Sequence, residues 1–418
     1  MWPNNDRLET ISFLGQYADN LNTYLYCPKD DPYVVKKWGQ RYPKKKLIEL
    51  QQTIKLCQNL NIEFVFGLNP TLGKRQAAGN IIKKFNQLKE IGCDSFCLLF
   101  DDIPYAYDSI DNQKSNLGEL VGKEIVNLTN SVYYKLGEPK QFWLCTPDYC
   151  FKKRSLFTKT LNSLNQNISL MWTGNNIFSK TISINDIERV RRITKCQKII
   201  WWSNYPVNDC EQNVGVFNLG GFVKLQPSVL IQLDGVLVNP IREQYASFPF
   251  FITFSNYLIN PRNYSRNNEW NNAIQKLNIK NKYGKRFLDA VKPAIIFKAN
   301  YRQLILSIKK NNQINLKLLN MSEVFPTNPK IDRYFPEVFR IVRSRLKLAQ
   351  SYQSLEIPKN VVNFENYFST KYLGSKKLFV SFSDSIRAVN YSTQLIKLDQ
   401  EYITNLLNKN DISNKDKL

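Results

Sequence analysis

Ser95-Phe96-Cys97-Leu98-Leu99-Phe100-Asp101-Asp102 decides the fold. Phe96 to Phe100 is apolar without alternation, so both faces of the segment must be covered, as they are in a strand at the centre of a parallel sheet. Two adjacent carboxylates then close it. The same design recurs along the chain in Asn22 to Pro28 (NTYLYCP), Glu63 to Pro70 (EFVFGLNP), Gln141 to Pro147 (QFWLCTP), Ile168 to Gly174 (ISLMWTG), Lys198 to Asn204 (KIIWWSN) and Gly235 to Pro240 (GVLVNP). Each run is short and rich in β-branched or aromatic residues, and each ends in a polar break.

Helical spacing fills the intervals. Leu47, Leu50, Ile54, Cys57 and Leu60 repeat with a period near 3.6, as do Ile81, Phe85, Leu88 and Ile91, and then Leu117, Val121, Ile125, Leu128 and Val132. Ser183 is placed to cap a helix carrying Ile187, Val190 and Ile193. Strand alternating with helix means βαβ units and parallel strands. Seven units predict an α/β fold, either a (β/α)8 barrel with one unit missing or a doubly wound open sheet. The barrel is favoured because Lys29, Asn69, Asp101, Asp102, Thr173, Asn204 and Asn239 fall at or just beyond strand C-termini, where barrel sites are built. Neither GxGxxG nor GxxxxGK[ST] occurs, so a nucleotide-binding open sheet lacks its mark. The expected division is a catalytic barrel over 1–260 and an α-helical C-terminal domain over 261–418, where helical spacing is interrupted by Asn260-Pro261 and Pro326 to Pro329.

Histidine is absent from all 418 residues. That removes Ser/His/Asp and Cys/His nucleophiles, histidine metal ligands and an imidazole base. Carboxylates are left as the expected proton carriers, with no metal and no cofactor. The eight cysteines sit in apolar surroundings without zinc-site spacing, and read as buried free thiols. The net charge of +23 lies mostly after Tyr245, where 28 Lys and Arg face 12 Asp and Glu. These basic residues are dispersed and accompany no nucleic-acid module, so a solvated helical surface is expected and a nucleic-acid partner is not. The longest apolar run, Phe248 to Phe254, falls far short of the ~20 residues that span a bilayer.

Two carboxylates at the mouth of an apolar barrel raise one another's pKa, and a raised carboxyl serves as a general acid near neutrality. An Asp-Asp pair capping the following helix is the plainer alternative. Tyr149, Asn204, Asp209 and Asn239 add hydrogen-bonding groups at other strand ends, and Trp172, Trp201 and Trp202 add aromatic faces of the kind that pack on sugar rings. Together they favour glycoside chemistry.

The segments Asn22 to Tyr33, Phe96 to Pro104, Leu144 to Cys150, Trp172 to Gly174, Ile199 to Asp209 and Gly235 to Pro240 resemble, in order and spacing, glycoside hydrolase family 84, the β-N-acetylglucosaminidases. The resemblance implies a retaining, substrate-assisted reaction in which the sugar's 2-acetamido oxygen attacks the anomeric carbon to form an oxazoline. It implies that Asp101 polarises the acetamido N–H, and that Asp102 protonates the leaving oxygen and then activates water. Tyr149 would bond the developing oxazoline. Cys145, Thr173 and Trp202 would wall the acetyl methyl pocket, and Lys29, Asn204, Asp209 and Asn239 would hold the sugar or its linkage oxygen. The implied partner is a glycan or glycoprotein bearing terminal β-linked N-acetylglucosamine.

Two departures from the family pattern stand out. The family's first strand, ending in Gly-Phe-Tyr-Gly, would precede Trp2, which accounts for seven strands in place of eight and leads us to expect an upstream segment encoding it. Val34-Val35 follow Tyr33 where the family usually has His-Arg. The chain as given has no signal segment and reads as cytoplasmic, or as extracellular if a signal preceded the missing strand. The alternative to an active enzyme is a truncated homologue that only binds N-acetylglucosamine.

Overall fold

Seven parallel strands follow one another in chain order across a single sheet: β1 (Thr23–Tyr26), β2 (Glu63–Leu68), β3 (Ser95–Leu99), β4 (Gln141–Cys145), β5 (Ser169–Trp172), β6 (Ile199–Ser203) and β7 (Gly235–Val238). They come from a computed structural model that describes residues 2–74, 76–101, 117–207, 220–223, 225–241, 244–277 and 281–287. Every strand lies within one of the segments read as strands from sequence.

Helix α1 (Asn4–Tyr17) precedes β1; the strands are separated by helices α2 (Lys44–Asn59), α3 (Ala77–Lys89), α4 (Leu117–Lys135), α5 (Leu156–Thr160), α6 (Ile184–Thr194) and α7 (Pro227–Leu230), and β7 is followed by α8 (Phe248–Ile259) and α9 (Arg266–Lys276). Among the described residues none is long and apolar enough to cross a membrane. Helix α1 has no counterpart in the sequence reading. Its first turns are polar, and the burial of Ile11, Phe13 and Leu14 depends on a partner far along the chain: the Phe13 ring stacks on Phe248 of α8 at 4.0 Å. Ser183 caps α6 as expected, its hydroxyl accepting from the Asp186 N–H while the Asp186 carboxylate accepts from the Ser183 N–H.

Alternation along each strand divides the core in two. One row, Val65, Cys97, Leu99, Trp143, Cys145, Met171 and Ile200, forms an interior cluster on which Leu25 of β1 and Leu237 of β7 both pack. The first and last strands touching one cluster means that the sheet curls as a barrel does, although β1 and β7 do not pair among the described residues. The other row faces the helices, as where Phe96 stacks on Phe85 of α3 at 4.2 Å.

The chain divides into two compact units. The first, 1–205, 220–240 and 248–276, holds the sheet and all nine helices named above. The second comprises 206–219, 241–247 and 277–418. Its described part includes a short 3-10 helix, Gln244–Ser247, whose Ser247 hydroxyl accepts from the Ile241 N–H at 3.0 Å, and Arg286, which donates to the Tyr245 hydroxyl at 2.6 Å. Residues 288–418, most of the expected helical domain, lie outside the described residues.

Candidate active site

Parallel strands deliver all their C-termini to one rim, so residues just past the strands converge there. Asn69, Thr173, Asn204 and Asn239 directly follow β2, β5, β6 and β7, while Lys29 and Asp101 stand three and two residues beyond β1 and β3.

Asp101 is nearly buried, and its carboxylate accepts from the Lys29 ammonium at 3.1 Å across the mouth from the β1 loop. Beneath that mouth lies the interior cluster, with Cys145 fully buried in it and half-buried Tyr149 and Trp202 packed on its upper edge. The floor is thus apolar and its rim carries an ion pair. Burial pushes the Cys97 thiol well above its ordinary pKa, so the floor is uncharged at neutral pH.

Thr173 ties two loops together. Its N–H donates to the Tyr149 carbonyl at 2.9 Å, and its hydroxyl donates to the Asn176 carbonyl at 3.1 Å. Gly174 follows at φ +107°, where a Cβ would stand 2.4 Å from the Ser179 hydroxyl; only glycine turns the chain there. The Asn204 amide donates to the Ile177 carbonyl at 2.9 Å and accepts from the Asn239 amide at 3.3 Å. Both asparagines therefore already hold loops while each keeps hydrogen-bonding capacity for a ligand.

Two tryptophans of the aromatic group read from sequence are withdrawn from the site. Trp172 and Trp201 are fully buried on the helix-facing row, and Trp201 donates from Nε1 to the Thr173 carbonyl at 3.2 Å. Trp202, one residue on, faces the interior cluster. Asp102 and Asp209 lie outside the described residues, as does Cys210. The seven described cysteines are free thiols, five of them buried.

The structure adds groups that sequence reasoning assigned no role. Asn69 donates from its amide to the Leu99 carbonyl at 2.8 Å, holding the end of β3 just before Asp101. Asp31, buried in the β1 loop, accepts from the Tyr26 hydroxyl (2.8 Å), the Tyr42 hydroxyl (2.9 Å) and the Tyr33 N–H (2.9 Å). Burial and the Asp31 charge push both tyrosine hydroxyls far above their ordinary pKa, so they stay protonated as donors. Nearby, the buried Lys84 ammonium of α3 donates to the carbonyls of Tyr33 and Lys37 and lies over the Tyr42 ring at 5.1 Å. This network anchors the loop that presents Lys29. Val34, one of the two residues standing where His-Arg is usual, is fully buried and accepts at its carbonyl from the Asn69 N–H.

A protein-family model described as beta-N-acetylglucosaminidase matches residues 1–289. The chain belongs to that family. Its relatives include the protein O-GlcNAcases of Rattus norvegicus and Mus musculus, each 31% identical over 258 residues, which is 59% of this chain and 27% of theirs. The chain thus spans about a quarter of the length of these curated relatives. Among solved structures, a mutant O-GlcNAc hydrolase of Thermobaculum terrenum superimposes with a TM-score of 0.59 at 20% identity, over 96% of this chain and 94% of that one. CpGH84B gives 0.58 at 22% identity, over 95% and 74%. The fold of this family member is accordingly similar to that of these two structures, with seven strands described.

Proposed function

We propose that the chain is a retaining glycoside hydrolase that removes terminal β-linked N-acetylglucosamine by substrate-assisted catalysis, with glycoproteins as substrates. The observation that carries this reading is the near-buried Asp101 carboxylate, paired with Lys29, over the apolar floor of Cys145, Tyr149 and Trp202.

A carboxylate over an apolar pocket suits an acetamido group, whose N–H needs an acceptor and whose methyl needs a dry wall. Asp101 accepts the N–H and so sharpens the carbonyl oxygen as a nucleophile towards the anomeric carbon. As that C–O bond forms, the glycosidic bond breaks, and Asp102 delivers its proton to the leaving oxygen. Tyr149 hydrogen-bonds the oxazoline; Cys145, Thr173 and Trp202 enclose the methyl; Lys29, Asn204, Asp209 and Asn239 hold the sugar hydroxyls and the linkage oxygen. Water, deprotonated by Asp102, then opens the oxazoline from the face the aglycone left, so the product keeps its β configuration.

Release of 4-nitrophenol from its β-N-acetylglucosaminide, with NMR of the first-formed anomer, tests this directly. Turnover giving the β anomer supports it. An α first product rejects retention, and binding of N-acetylglucosamine without turnover supports the silent alternative.

A further inference from the structure

Just past β2 the sheet reaches a residue that cannot donate. The ladder between β2 and β3 pairs Leu68 with Leu98, so two residues further on Pro70 stands opposite Phe100. Main-chain groups alternate in direction along a strand. The Asn69 N–H turns to the β1 side, where it donates to the Val34 carbonyl at 3.0 Å, and the Phe100 N–H turns to the β4 side, where it donates to the Cys145 carbonyl at 2.9 Å. Residue 70 and Leu99 therefore turn towards each other, and the next rung of the ladder would run from the N–H of residue 70 to the Leu99 carbonyl. Proline has no N–H. The Asn69 side-chain amide supplies the missing donor, reaching the Leu99 carbonyl at 2.8 Å. Leu99 is buried, so a carbonyl without a donor at that rung would bear the cost of an orphaned group.

The rung matters because of what lies on either side of it. Leu99 is the last residue of β3, and Asp101 follows two residues on. On the β1 side, Val34 closes a run of turns that encloses Lys29: the Asp31 N–H donates to the Pro28 carbonyl and the Val34 N–H to the Asp31 carbonyl, both at 3.1 Å. The chain after Asn69 takes a second hold on the β1 loop where Trp38 donates from Nε1 to the Thr71 hydroxyl at 3.0 Å. Asn69 thus holds with its main chain the loop that presents Lys29, and with its side chain the strand end that presents Asp101. The two presented groups are the ion pair of the site.

We infer that Asn69 is a positioning residue of the proposed reaction: its amide stands in for the N–H that Pro70 lacks, and thereby fixes the end of β3 from which the Asp101 carboxylate meets the acetamido N–H. The inference rests on the glycosidase reading above, in which Asp101 is that acceptor. Asn69 acts through Asp101 and not on the sugar. A main-chain N–H at position 70 could hold the Leu99 carbonyl in its place, which makes the task of the amide separable from the presence of an asparagine.

Kinetics of the full chain with 4-nitrophenyl β-N-acetylglucosaminide test it. Asn69→Ala should lower kcat/KM by about ten- to a hundredfold, the effect of a reacting group held slightly out of place. Adding Pro70→Ala, which restores an N–H opposite the Leu99 carbonyl, should regain most of that loss. In an Asp101→Asn background Asn69→Ala should cost less than about threefold, because residues that act through one another are not additive. A general weakening of the fold would show neither the rescue nor the coupling. Should Asn69→Ala fail to fold, as seen by circular dichroism, Asn69→Asp takes its place, since it keeps the shape but offers the Leu99 carbonyl no donor. Wild-type rates in the Asn69 variant, no rescue by Pro70→Ala, or an undiminished loss in the Asp101→Asn background each overturn the inference and leave the glycosidase reading standing. If the unsubstituted chain does not hydrolyse the glycoside, that reading fails, and urea unfolding decides the positioning alone. The coupling between Lys29→Met and Asp101→Asn should then shrink in Asn69→Ala and return with Pro70→Ala; a coupling that Asn69 does not alter overturns it.

Discussion

The Lys29 ammonium and an Asp101 carboxylate oxygen meet at 3.1 Å although 72 residues separate them, and the pair joins the loop after β1 to the end of β3 over the top of β2. The lysine is 40% exposed and the aspartate 12%, so water reaches the cation more easily than the anion. Removing the lysine takes a cation away from a mostly desolvated carboxylate and loosens its aim. Lys29→Met should lower kcat/KM for an aryl N-acetylglucosaminide by about ten- to a hundredfold, the cost of one charge-assisted contact. Steady-state kinetics at fixed ionic strength check it, and an unchanged value would deny the pair a part in the reaction.

The two adjacent carboxylates should separate by leaving group. Asp102→Asn loses proton delivery, worth ~10²- to 10⁴-fold on poor leaving groups, and should be far milder with activated aryl leaving groups. On the proposed mechanism Asp101→Asn should impair oxazoline formation and be slow with both. A series of aryl glycosides of graded leaving-group pKa gives the slopes; identical slopes for the two variants would refute the division of labour.

Gly67 on β2 leaves room that its neighbours use. A Cβ there would stand 2.8 Å from the Cys27 Cβ and 3.0 Å from a Leu99 methyl. Gly67→Ala should destabilise by about 1 to 3 kcal/mol through overpacking, seen as a lower thermal midpoint. It should also depress activity, because Cys27 opens the loop that carries Lys29.

Burial pushes the Lys84 ammonium down to about 7, with Asp31 pulling the other way. An unfolded lysine keeps its proton to about pH 10.4, so from about pH 7 to 10 the unfolded chain holds more protons than the folded one, and this group makes stability rise with pH. Below about pH 7 both states are charged and the slope vanishes. Urea unfolding of wild type and Lys84→Met at about pH 7 and about pH 9.5 should show wild type gaining on the variant by roughly a few kcal/mol as pH rises; a constant difference would contradict it.

The strands were legible because a short apolar run that must be covered on both faces has few places to go except the middle of a sheet, and because each ends in a polar residue at the same rim. That very property hid their phase. In Ile199–Ser203 nothing local says whether Trp201 or Trp202 faces the interior, and Trp201 with Trp172 went to the helix side. Helix α1 escaped notice because Phe13 gains its meaning from Phe248. Asp31 and Lys84 could not be joined from sequence either, since their network needs the β1 loop folded against α3 before either burial makes sense. Of the candidate site, strand-end positions such as Asn69, Thr173, Asn204 and Asn239 were readable from punctuation alone; what each amide or hydroxyl bonds depends on loops brought together only once the sheet has curled.

The Asn239 to Asn204 to Ile177 relay links the β7, β6 and β5 loops through two side-chain amides. Three segments that could drift independently are thereby geared, so a push on one turns the others. A guest that bonds the second N–H of the Asn204 amide joins this relay without breaking it. Graftings that lengthen one of these loops should therefore be judged on all three, for the mouth answers as a single mechanical part.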